Sequence, residues 1–193
     1  MVSPVETMPR RANRAGTRRR ATILQVAEQL VAERGHPNVT VQMVADAAGI
    51  TQPAVHHHFT TRDDLFLELL KFRETNAPER AIPDTLDAMV QAIGTSESTP
   101  KLVALYADYA TRAQDPEHPA HAYFRDRYRA VITGLTEAVE VRQRDGRMDP
   151  QLEPVSVARI LLSVADGLQT HWLIDPTIHM REEFESAVAR FRA

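Results

Sequence analysis

Apolar residues recur every three or four positions along most of the chain, the period of helices that bury one face. Ile23, Ala27, Leu30 and Val31 form such a stripe over 17–34, and Gly35 stops it. Val41 and Val44 with Ala47 predict a short helix over 41–48, and Val55 and Phe59, four apart, predict another over 52–58. Leu65, Phe66, Leu69, Leu70 and Phe72 make 62–76 apolar on more than one side. Later stripes predict helices over 84–93, with Gly94 as a stop, and over 99–114, 120–144, 154–174 and 180–192. The helix over 154–174 is the most apolar. One face carries Ala158, Leu161, Ala165, Leu168 and Trp172, and another carries Val157, Ile160, Val164, Gly167 and His171. The pattern predicts an all-α fold of about nine helices.

The punctuation between 39 and 65 is dense. Thr40 and Thr51 stand where a hydroxyl can accept from a free helix N–H, so each is placed as an N-cap. Gly49 ends the first short helix, and Pro53 falls in the first turn of the second, where a missing N–H breaks no bond. Thr61 and Asp64 form a capping box with Asp in place of Glu. Two short helices across a tight turn, followed by a third, are the layout of a helix-turn-helix. The outer side of 52–58 is polar, and a helix of this kind fits the DNA major groove, about 12 Å wide.

The residues Gly35, Gly49, Thr51, Val55, His58, Phe59, Thr61 and Leu65 occur in the order and spacing of the TetR family of bacterial transcriptional regulators, which residues 17–66 resemble. His56 stands where that family usually has Tyr, and Arg62 where it usually has Lys. The resemblance implies phosphate contacts by His56 and Arg62, base contacts by Gln52, Pro53 and His57, and His58 turned inward beside Phe59. Thr40 and Thr51 are assigned to the same DNA-binding set. It also implies a DNA-binding domain over 17–80 and a ligand-binding and dimerisation domain over 81–193.

Charge agrees with that division. The net charge of −3 over 193 residues hides a basic end: residues 1–62 hold eight arginines against four acids, and residues 81–193 hold twelve Lys/Arg against seventeen acids. A basic end on an acidic body is the footprint of a nucleic-acid binder. Residues 1–16 show little apolar periodicity and read as a basic disordered arm. Its arginines, together with Arg18, Arg19 and Arg20, are placed to follow phosphates, and Arg18 and Arg19 join the DNA-binding set.

Other chemistry is excluded or weak. There are no cysteines, so disulfides and thiolate catalysis are out. No apolar run reaches the roughly 18 residues of a membrane span, and no apolar segment follows the N-terminal arginines, so a cytoplasmic protein is expected. The run His56-His57-His58 invites a metal, but neighbours on a helix splay about 100° apart and cannot converge on one ion. His118 with His121, and His171 with His179, flank turns without carboxylates at ligand spacing. No phosphate loop, dinucleotide turn or nucleophile elbow occurs, so neither enzyme nor cofactor is expected.

The second domain is read for partners. Met89, Tyr106, Tyr109, Phe124, Tyr128 and Trp172 are the candidates to line a cavity for a small apolar or aromatic effector; each could equally fill core. Val157, Ile160, Val164, Gly167 and His171, with Phe184 and Val188 of the last helix, are the candidates for a homodimer interface; the competing reading buries both faces within one subunit. The expected function is a ligand-responsive repressor that binds a palindromic operator as a dimer. The alternative is a DNA-organising or cell-division factor of the same fold with no effector.

Overall fold

The computed structural model describes residues 9–78 and 84–193, with side chains described from residue 16 onward. Among these residues the chain is helical, without strands. The helices are α1 (Pro9–Arg34), α2 (Val41–Ala47), α3 (Gln52–His56), α4 (Arg62–Asn76), α5 (Thr85–Ser96), α6 (Pro100–Arg112), α7 (Ala120–Arg144), α8 (Pro154–Ile174) and α9 (Met180–Ala189). A 3-10 turn, His36–Asn38, follows α1 and was not expected.

Several bounds differ from expectation, and two of the differences have a local cause. Residues 1–8 of the expected arm lie outside the described residues, but Pro9 onward is already helical. Arginine and alanine are strong helix formers, and a helix absorbs a glycine such as Gly16 at about 1 kcal/mol. Gly94 does not stop α5, which runs on to Ser96. The hydroxyls of Thr95 and Ser96 donate to the carbonyls of Gln91 and Ala92, keeping that last turn wound. The last helix ends at Ala189 rather than 192.

The chain divides into two compact units, Met1–Phe72 and Arg73–Ala193. This division falls inside α4. In the first unit, Ile23, Val31, Val44, Val55, Leu65 and Phe66 are fully buried. The α2–α3 turn is closed at Gly49, whose φ of 66 is left-handed. Ile50 N–H donates to Ala45 O at 3.0 Å and Gly49 N–H to Asp46 O at 3.2 Å, the paired bonds of a Schellman cap.

In the second unit α8 packs against α6, α7 and α9. Leu135, Val139, Leu161, Trp172 and Phe184 belong to one core cluster, with Leu86 and Ile93 of α5. Val157 and Phe184, expected at a dimer interface, are 2% and 0% exposed inside this core. The helical rotation explains Val157: at about 100° per residue it stands nearer Leu161 than Ile160. Arg142 is 6% exposed and holds α5 to α7, with Nη1 2.5 Å from Asp84 Oδ2 and Nη2 2.8 Å from Asp87 Oδ1. Burial alone would raise the Asp84 carboxyl; hydrogen bonds from Arg142 and from the N–H groups of Asp87 and Leu86 outweigh it, and its pKa is lowered. No helix among the described residues is long and apolar enough to cross a membrane.

Candidate nucleic-acid interface and ligand-binding residues

The short helix α3 is held from below. Val55 is fully buried and Phe59 is 3% exposed, which leaves Pro53, His56 and His57 exposed and Gln52 half-buried. Thr40 caps α2 as expected, its hydroxyl accepting from Met43 N–H at 3.2 Å. Thr51 occupies the N-cap position of α3 but makes no side-chain cap bond, so its exposed hydroxyl is not used to hold the helix. The box after the turn closes in both directions: Thr61 N–H donates to Asp64 Oδ2 and Asp64 N–H to Thr61 Oγ1, each at 3.0 Å.

His56 has an orienting part. Its Nδ1 lies 3.2 Å from Thr60 O and its Nε2 lies 3.4 Å from Gln52 Nε2. A carbonyl only accepts, so Nδ1 carries the proton. In the neutral ring Nε2 then accepts from the Gln52 amide. Gln52 keeps its oxygen and its second N–H for another partner, the pair an adenine edge requires. His58 is half-buried, its ring 6.3 Å from Phe59 and 5.4 Å from His57. Burial, then the charges of His57, Arg19 and Arg20, lowers its pKa.

Two arginines are engaged elsewhere than expected. Arg62 Nε donates to Val39 O at 2.9 Å, Nη2 donates to His36 O, and the guanidinium lies 4.6 Å from the Phe66 ring centre. In the free chain Arg62 is thus a staple across the α1–α2 turn. Arg20 pairs with Glu68 and covers the Phe59 ring at 5.1 Å. Burial would raise Glu68, but Lys71 at 2.8 Å and Arg20 outweigh it and lower its pKa. Arg18 and Arg19 are exposed. No group of three metal-ligating side chains occurs among the described residues.

In the second unit, three of the six expected pocket residues come together. Phe124 lies 5.2 Å from Tyr106 and 6.0 Å from Tyr128 between ring centres. Tyr109 sits one turn on, 1% exposed against His118, and Met89 and Trp172 pack into the core cluster. Sequence reasoning missed the charges around the aromatic group. Arg127 Nη1 donates to Tyr106 OH at 3.1 Å and its Nε lies 3.6 Å from Glu74 Oε1, while Tyr123 OH donates to Glu74 Oε2 at 2.7 Å. Burial raises Tyr106 well above its ordinary value, raises Tyr128 to about 12 and raises Asp166, the last against the opposing pull of Tyr128 and Arg127. A half-buried acid with a raised pKa among hydroxyls marks a candidate binding site. A cleft of about 430 Å³ opens elsewhere, between α5, α9 and the end of α7, and none of the six residues lines it.

Comparison with known proteins bears on both units. The family model for bacterial regulatory proteins of the tetR family matches residues 23–69. The HTH-type transcriptional repressor KstR2 of Rhodococcus jostii (strain RHA1) is 37% identical over 103 residues, 47% of this chain and about half (49%) of that protein. The HTH-type transcriptional regulator PksA of Bacillus subtilis (strain 168) is 24% identical over 172 residues, 82% of this chain and 80% of that one. A transcriptional regulator from Saccharomonospora viridis, solved in complex with choline, has the same fold. Its TM-score is 0.70 at 22% identity, over 89% of this chain and 96% of that one.

Proposed function

Because the chain belongs to the TetR family of bacterial regulatory proteins, whose members are DNA-binding transcriptional regulators and not enzymes, we propose that it is a cytoplasmic repressor released from its operator by a small molecule. The observation that carries this reading is α3: Gln52, Pro53, His56 and His57 stand clear on a helix anchored by Val55 and Phe59. Gln52 reads a base, His56 orients it, and Arg18 and Arg19 supply phosphate attraction. One such helix reads one half-site. A palindrome with half-sites about 34 Å apart needs two chains.

The second chain docks on α8. Val164, Gly167 and His171 stand between Ile160, 49% exposed, and Ile174, 80% exposed, at steps of three and four along one face. An apolar stripe left wet on a helix that packs by its opposite face is an interface awaiting its copy. The effector, a small apolar or aromatic molecule with a polar tip, is drawn to Tyr106, Phe124 and Tyr128. Arg127 and Asp166 meet its polar end. Engaging Arg127 would loosen its grip on Glu74 in the last turn of α4. The ligand releases DNA only as far as it binds the DNA-incompetent arrangement better.

The test is selection from a random double-stranded DNA library. The protein is expected to enrich an inverted repeat, and Gln52→Ala to change the preferred base at one position per half-site, at about 1–3 kcal/mol of discrimination. A library that yields no motif, or a motif unchanged in Gln52→Ala, defeats the assignment of α3.

A further inference from the structure

The cleft between α5, α9 and the end of α7 lies apart from the aromatic group and has a different chemistry. Its floor is apolar: Leu86 is 1% and Met148 2% exposed, with Val90 and Val188 half-buried beside them. Its walls hold four arginines, Arg142, Arg147, Arg181 and Arg192, against two carboxylates, Asp87 and Glu185. The lining therefore carries two positive charges in excess.

The four guanidinium groups are not equivalent. Arg142 is buried and bonded to Asp84 and Asp87, so it shapes the cleft rather than reaching into it. Arg181 lies along α9 with Nε 2.9 Å from Glu185. Arg147 is exposed and pairs with Asp145, which is outside the lining. Arg192 is exposed and meets no carboxylate at ion-pair distance among the described residues. The wall bearing Arg147 is fixed by backbone. Gly146 takes a φ of 70 and turns the chain, and the N–H groups of Arg147 and Met148 both donate to Arg142 O, at 2.8 and 3.2 Å. The turn thus sets an exposed guanidinium, Arg147, next to Met148 of the buried floor.

We propose that this cleft is a binding site for an amphipathic anion: an apolar body over Leu86, Val90, Met148 and Val188, and a carboxylate or phosphate head held by Arg147 and Arg192. The volume is in the range of small-molecule sites, roughly 300–1,000 Å³. Guanidinium groups grip both head groups through two parallel N–H···O bonds, and they hold them more tightly than a neutral hydroxyl. The site does not depend on the reading of α3, and its test contains no DNA.

Isothermal titration of the full chain with decanoate, decyl phosphate, decanol and decylamine, each below its micellar concentration, decides the matter. Decanoate or decyl phosphate should bind at least about tenfold more tightly than decanol, with decylamine weakest, and the ratio of the two anions identifies the head group. The double variant Arg147→Ala/Arg192→Ala should lose about tenfold or more for the anion and little for decanol. Arg129→Ala, an exposed arginine of α7 outside the cleft, should bind as the parent does. Equal binding of decanol and the anions, no binding of either anion, or an equal loss in Arg129→Ala would each overturn the proposal.

Discussion

Arg62 commits two nitrogens to the carbonyls of Val39 and His36 and lays its plane over Phe66, so its removal strips a charged donor from two turn carbonyls at once. Arg62→Ala is expected to lower stability by about 2–3 kcal/mol in urea unfolding. Arg62→Lys should recover little of this, because an ammonium lacks the fork that spans both carbonyls. An alanine variant that changed the salt dependence of DNA binding while unfolding like the parent would place Arg62 on a phosphate rather than in the turn. Asp166 makes the opposite kind of prediction. Burial raises its pKa in the fold, so its stability term is present below the unfolded carboxylate pKa and is lost as pH rises through the higher folded value. Asp166→Asn should therefore stabilise the protein at pH 7 and leave it nearly unchanged near pH 3.5. Equal effects at both values would mean that the buried charge is not the cause. These arginines also mark what the sequence hides. The Thr40 cap and the Thr61–Asp64 box join residues three apart, and their pattern is legible in the chain. The partners of Arg62, Arg20 and Arg142 lie 23 to 58 positions away, a distance at which composition carries no register.

Helix limits were legible wherever a proline, a cap or a left-handed glycine fixes them. α7 starts after Pro119 and ends before the left-handed Gly146, and α8 lies between Pro154 and Pro176. Limits were illegible at Gly16 and Gly94, which lie within helices. Gly134 also lies within a helix, and its place there is a matter of packing. A methyl group there would stand 2.6 Å from Thr85 Oγ1 and 3.3 Å from Thr85 Cβ, so the first turn of α5 could not approach α7 as closely. Gly134→Ala gains about 1 kcal/mol of helix propensity but overpacks the contact, a loss of roughly 1–3 kcal/mol. The net change in thermal unfolding should be destabilising. A raised melting temperature would show that α5 shifts without cost. In α8 the inner face takes in Val157, one residue beyond the expected division.

At the scale of the molecule, the DNA-binding unit was recognisable because its turn is short and its residues are set by backbone geometry. The proposed effector site was not, because aromatic side chains fill core and line pockets alike; the rings of Tyr106, Phe124 and Tyr128 meet, whereas Met89 and Trp172 pack into the core cluster. The interface proposed on α8 yields a sharp expectation. Ile160→Glu should convert a dimer to a monomer in light scattering and weaken binding to an inverted repeat far more than binding to a single half-site. A parent protein that scatters as a monomer at micromolar concentration would remove the proposal. The wet stripe around Ile174 has one more effect, on the cell rather than the test tube. If operator occupancy needs two copies to meet first, it varies with the square of their number while dimers are scarce. A modest fall in expression would then open the regulated genes almost as abruptly as an effector does.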